Sequence, residues 1–173
     1  MTEQELIKAC IEKQPLAQRE LYSRYVNEMT RLVMRYIPDS QESFDSLSNG
    51  FFKILKDISS FEYRGEGSLR AWMSRIMVNE ALMKLRKRKQ MLEVSLDEKI
   101  DDAQFSYEEY DTSYLYECIQ SLPDGARTVF NLVGVEGYSH KESAKMLGIA
   151  ESSSRSQLVY ARQKLKEMLT KEM

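Results

Sequence analysis

The sequence predicts an all-α protein: two small helical domains joined by a flexible acidic linker, the C-terminal one a helix-turn-helix. Three observations carry this. Glycine and proline are sparse, at 7 and 3 of 173 residues, so few positions break a helix. Apolar residues recur three and four apart almost throughout, the period of a helix with one buried face. Between two such parts lies 91–111, acidic and without a sustained apolar period, which reads as a linker. The domains are therefore expected at 1–90 and 112–173.

A first helix is expected from about Thr2 to Lys13, and Pro15 opens a second, in which Leu16, Leu21, Tyr22, Tyr25, Met29, Leu32, Val33 and Tyr36 keep helical spacing until Pro38. A third follows, with Phe44, Leu47, Phe51, Ile54, Leu55 and Ile58 as one stripe and Gly50 a modest weakness within it. The glycine-bearing EYRGEGS leads to a fourth helix with Ser68 as candidate cap. Its inner side is expected to carry Leu69, Trp72, Met73, Ile76, Met77, Leu82 and Leu85, and it ends in a basic turn. The second domain opens near Thr112 with Leu115, Ile119 and Leu122, turns at LPDG, and continues with Ala126, Val129, Phe130 and Val133.

From Tyr138 the chain reads YSHKESAKMLGIAESSSRSQLVYARQKL. Ser139 and Glu142 have capping-box spacing, and Ala144 and Leu147 turn inward. Gly148 suits the left-handed residue that ends a helix. A last helix then begins near Glu151 or Ser152, with Leu158, Ala161, Leu165 and Met168 inward. Two helices across a short glycine turn form a helix-turn-helix, whose second helix enters the major groove by its N-terminal end. Small polar side chains there approach phosphates and base edges without steric cost. Ser152, Ser153, Arg155, Ser156, Gln157 and Tyr160 lie on that outward side, with Arg162, Lys164 and Lys166 adding attraction for the backbone. A helical hairpin with a merely solvated polar face is the alternative.

Charge separates by block behind a net of −2. Residues 64–90 hold eight basic against two acidic residues, 91–111 eight acidic against one basic, and 139–173 seven basic against four acidic. Two local fields therefore favour anionic partners despite the acidic total. No run of about 18 apolar residues suggests a membrane span, and MTEQELIKAC lacks a signal-like opening, so a cytoplasmic protein is expected. Cys10, Cys118 and the single His140 offer no metal set. The cysteines read as buried small hydrophobes and His140 as a surface residue beside a cap. No catalytic constellation is present, so neither an enzyme nor a cofactor is expected.

The block RGEGSLRAWMSRIMVNEALMKLRKRK combines a glycine loop, an aromatic residue and a cationic helix end, surfaces that suit unstacked bases and a single-strand backbone. Taken singly, Trp72 also fits a core, and the cations a solvated helix end.

This block, in the order RGEGS, AWxxRI, VNEA and LRKRK, resembles the part of sigma factors of the extracytoplasmic function group that reads and opens the −10 promoter element. LPDGARTVF and the terminal LGI followed by RSQLxxAR are similar to their −35 reader, and LYSRYVNEMTRLVMRYI to the first helix of their promoter-opening domain. The resemblance covers about Leu16 to Leu169 apart from the linker. It implies a sigma factor that brings core RNA polymerase to promoter DNA and starts melting. It assigns capture of a flipped base to Asn79, Trp72, Arg75 and the Tyr63–Leu69 loop, with Arg64 and Ser68 in that loop. Phosphate contacts fall to Lys84, Arg86, Lys87 and Arg88, and polymerase contacts to Asp45, Leu47, Phe51 and Lys53. It also implies an anti-sigma protein that masks these surfaces. Ser48 and Asn49 stand where the family carries Gln-Glu, Gly50, Met83, Ser154 and Gln157 also depart from its pattern, and a promoter sequence is not carried over. A stand-alone helix-turn-helix regulator, or a helical partner-binding protein without a DNA role, are the competing readings.

Overall fold

The computed structural model describes residues 1–94 and 112–171, with side chains over 1–88 and 113–170. The expected linker, 91–111, therefore lies outside the described residues except for its first four, which belong to a helix. The chain divides into two compact units, Met1–Glu98 and Lys99–Met173. The described residues form helices and no strand.

The first unit starts with α1 (Glu3–Ile11), capped by a Thr2–Glu5 capping box. Pro15 then opens α2 (Pro15–Tyr36), where its missing N–H has no cost. Asp39 caps α3 (Ser40–Asp57), a 3-10 turn follows over Ile58–Ser60, and α4 spans Ser68–Val94. Helices α2, α3 and α4 pack together around Leu21, Met29, Val33, Tyr36, Ile54, Ile58, Leu69, Met73 and Met77. The inward stripes differ from expectation at defined places. Leu16 is exposed and Ala17 buried in its stead, because the proline turn brings the second helical residue to the surface. Phe44 is likewise exposed, while Ser43, Ser46 and Gly50 face inward with Leu47, Phe51 and Ile54. Gly50 is not an idle weakness: a Cβ there would lie 2.3 Å from Met77 Sδ. Its missing side chain is what lets the buried Met77 of α4 sit against α3.

The second unit comprises α5 (Thr112–Gln120), α6 (Asp124–Val129), which runs into a π-helical turn over Phe130–Val135, α7 (His140–Leu147) and α8 (Glu151–Lys171). Cys118, Ile119, Leu122, Ala126, Ala161 and Leu165 form its core, with Tyr114, Phe130 and Met168 against it. Both cysteines are free and buried. In the LPDGAR stretch the buried Arg127 guanidinium donates to the Leu122 carbonyl at 2.7 Å and pairs with Asp124 at 2.5 Å. It thereby satisfies a carbonyl that the α5–α6 turn would leave without a partner.

Candidate nucleic-acid interface

In the second unit the capping box forms as the spacing requires: Glu142 N–H donates to Ser139 Oγ at 3.1 Å, and Ser139 N–H to Glu142 Oε2 at 2.8 Å. Gly148 takes the left-handed conformation, φ 66°, and the Ile149 N–H returns to the Ala144 carbonyl. Helix α7 thus stops abruptly and α8 starts at Glu151, directly after Ala150, whose carbonyl accepts from Ser154 N–H. None of the three serines occupies the capping position. Ser152 and Ser153 are exposed, whereas Ser154 is 0% exposed and its hydroxyl lies 2.9 Å from His140 Nδ1. His140, expected at the surface, is therefore half-buried and hydrogen-bonded between the two helices. The signal for this lies in the pair, fourteen residues apart, and in neither residue alone.

The outward face of α8 collects Ser152, Ser153, Arg155, Ser156 and Tyr160, all exposed. Arg155 is held by Glu151 at 2.5 Å, one turn back, and Lys164 rides over the Tyr160 ring at 5.9 Å. Ser156 donates to the Ser152 carbonyl at 3.0 Å, which leaves its oxygen outward. Gln157 differs. It is half-buried, and its amide lies 3.5 Å from where a Cβ on Gly125 would stand, so it packs on the first turn of α6.

In the first unit the residues spaced three and four apart along α4 divide into two faces. Trp72, Arg75, Asn79 and Arg86 recur on one helical strip, with Arg75, Asn79 and Arg86 exposed and Trp72 half-buried. Trp72 is shared between core and surface, its ring tilted 43° against Phe61 at 5.1 Å. Lys84 and Arg88 instead turn toward α3, where Lys84 lies 3.6 Å from Asp45 and Arg88 3.7 Å from Glu42. The four cations expected on phosphate thus differ in exposure: Arg86 and Lys87 are exposed, whereas Lys84 and Arg88 are half-buried against α3.

The loop before α4 has two left-handed glycines, Gly65 (φ 113°) and Gly67 (φ 82°). Ser68 is the first helical residue and serves the loop. It accepts from Arg64 N–H at 3.2 Å and donates to the Gly65 carbonyl at 2.7 Å. Tyr63 is exposed beside it, and the Arg64 side chain pairs with Glu62 at 3.1 Å.

The four residues of α3 expected on polymerase do not share a face. Asp45 and Lys53 are exposed, with Lys53 3.3 Å from Glu80. Leu47 and Phe51, at 5% exposure each, belong to the interior, where Phe51 meets Tyr22 ring to ring at 4.7 Å. Both thus follow the inward stripe that the sequence predicts for this helix. The large apolar groups that α3 shows outward are Phe44 and Phe52, 62% and 73% exposed. Sequence spacing missed them because a hydrophobic stripe is read inward by default. In the second unit Leu115, Phe130, Leu165 and Leu169 line an apolar groove of about 470 Å³, rimmed by Arg162 and Lys166.

Residues 21–91 match Sigma-70 region 2, and residues 112–165 match Sigma-70, region 4. The chain is 26% identical over 165 residues to the ECF RNA polymerase sigma factor SigM of Mycobacterium tuberculosis H37Rv, covering 95% of this chain and 83% of that one. It is also 26% identical over 184 residues to the ECF RNA polymerase sigma-E factor of Haemophilus influenzae, covering 98% and 96%. Among solved structures, the sigma factor RpoE of Bartonella quintana, in complex with the anti-sigma factor NepR, superposes with a TM-score of 0.58 at 21% identity, covering 88% and 96%. CnrH, in complex with the cytosolic domain of CnrY, gives 0.53 at 19%, covering 97% of each chain. At those identities the structural likeness concerns the fold.

Proposed function

From the premise that this chain belongs to the sigma-70 family, in its extracytoplasmic function group, and is an alternative sigma factor of RNA polymerase, we propose how it divides the work. Residues 112–173 read the −35 element as duplex through the outward face of α8. Residues 1–90 hold core polymerase and capture the melted −10 strand. The chain catalyses nothing itself; it works in the cytoplasm, and the described residues include no helix long and apolar enough to cross a membrane.

One observation carries this reading. Each unit presents an exposed helical strip that mixes cations with small or planar polar groups: Arg155 among serines on α8, and Arg75, Asn79 and Arg86 behind Trp72 on α4. The first suits base edges and phosphates in a groove. The second suits a base drawn from the stack, where Trp72 supplies an aromatic face, Asn79 a two-sided amide, and the arginines charge for the phosphates. Flipping a base costs a few kcal/mol, so a site that repays it for one base makes melting selective. On α3 the exposed Phe44 and Phe52, flanked by Asp45 and Lys53, supply an apolar centre with a charged rim for polymerase. The apolar groove of the second unit offers polymerase a further hold. An anti-sigma protein covers these faces when the chain is idle, in keeping with the anti-sigma partner of the Bartonella quintana relative.

The test is transcription. With core polymerase and a library of promoter fragments, the purified chain initiates at a small set without another sigma factor. Duplex binding without initiation would make it a stand-alone regulator, and neither activity would leave a partner-binding protein.

A further inference from the structure

We propose that Glu3, in the first turn of α1, is a positioning residue for the −10 reading loop, so that α1 belongs to the strand-capturing apparatus although it precedes the region 2 match at residue 21. The inference rests on the assignment of the Tyr63–Leu69 loop to the melted strand.

The loop needs outside support. A Cβ added at Gly65 or Gly67 would meet nothing within 4 Å, so packing does not hold those residues, and the bonds made by Ser68 stay within the loop. A further bond leaves it: Gly67 N–H donates to Glu3 Oε2 at 3.1 Å, across 64 residues of sequence. Gly67 directly precedes α4, and its carbonyl accepts from Ala71 N–H. The Glu3 carboxylate therefore sits at the positive end of α4, where a negative charge is favoured. Glu3 is itself steady, because the Thr2–Glu5 capping box fixes the turn that carries it. The carboxylate also borders a cleft of about 570 Å³ shared with Arg24, Tyr25, Tyr63, Gly67 and Arg70. Burial, and next the neighbouring Glu3, push the Tyr25 phenol above its ordinary value. Since Gly67 has no side chain to lock it, the hydrogen bond its N–H donates to Glu3 sets the loop in one conformation before DNA arrives, and preorganisation of that kind sharpens discrimination.

The experiment uses the full chain with core polymerase on a promoter selected from a randomised library. Opening is followed by 2-aminopurine fluorescence in the −10 non-template strand, with all four bases compared at the captured position. Glu3→Ala, and Glu3→Asp, which keeps the charge in the first turn of α1 but withdraws it by a methylene, slow opening about tenfold, as loss of a charge-assisted bond implies, and flatten the base preference. Glu3→Gln keeps an acceptor oxygen within reach but gives up the charge, so it slows opening by about threefold, less than Ala, and keeps the base preference. Binding to −35 duplex is unchanged in all three. Tyr63→Ala serves as the loop control. If it slows opening while the Asp and Ala variants match the parent in rate and base preference, Glu3 has no positioning role and the loop assignment stands. If Tyr63→Ala also leaves opening unchanged, the loop assignment itself is wrong.

Discussion

Asn79 and Arg155 each stand on an exposed helical strip, and their expected losses differ in kind. On the proposed reading, Asn79→Ala removes the amide that meets an unstacked base, so the rate of promoter opening falls by about tenfold or more while closed-complex affinity stays near the parent; equal loss of both would remove Asn79 from the site. Arg155→Ala weakens binding to −35 duplex by roughly 1–3 kcal/mol and relaxes preference at one base pair, measured by titration against single-base variants. Its pairing with Glu151 does not oppose this, since an exposed ion pair one turn apart contributes only tenths of a kcal/mol. The exposure of Arg155 was legible from helical phase, whereas Asn79, also exposed, entered only through the family resemblance. The place of Ser154 was not legible. The outward set leaves it out without a partner for its hydroxyl, and that partner, the His140 ring, lies fourteen residues away on the other helix.

At the level of elements, helix boundaries followed from proline, capping serine and glycine, whose conformational preferences act locally. The inward face of α3 was read less well. Hydrophobicity spoke for Phe44 and against Ser43, Ser46 and Gly50, but the close approach of α4 requires small residues at that seam. A double-mutant cycle measures this. Gly50→Ala alone overpacks the seam by about 1–3 kcal/mol, partly offset by its better helix propensity, and lowers unfolding stability. In a Met77→Ala background the clash is gone and the same change stabilises, so its sign reverses; additivity would show that the seam has slack. The outer face of α3 is tested separately. Phe52→Ser lowers affinity for core polymerase about tenfold in a competition assay without loss of thermal stability, whereas undiminished affinity would move the docking face off α3.

For the whole molecule, a net charge of −2 conceals what matters. The two cationic blocks were legible by counting, but the pairing of Lys84 with Asp45 and of Arg88 with Glu42 was not, because it joins helices whose relative phase the sequence does not state. Pairs as long as 3.6 and 3.7 Å at partly exposed side chains are weak enough to yield to a phosphate. Duplex affinity should still fall linearly with the logarithm of salt, and Arg162→Ala should weaken binding evenly across sequences and reduce that slope by about 1; a slope unchanged by the substitution would place Arg162 away from the backbone. One consequence reaches beyond this chain. The hydroxyl of Ser154 and the imidazole of His140 act as a key between the paired helices, set on the side opposite the reading residues. Exchanging Ser152, Ser153, Arg155 and Ser156 for another set would leave that key untouched, so the promoter address can be rewritten while the scaffold that displays it stays as it is.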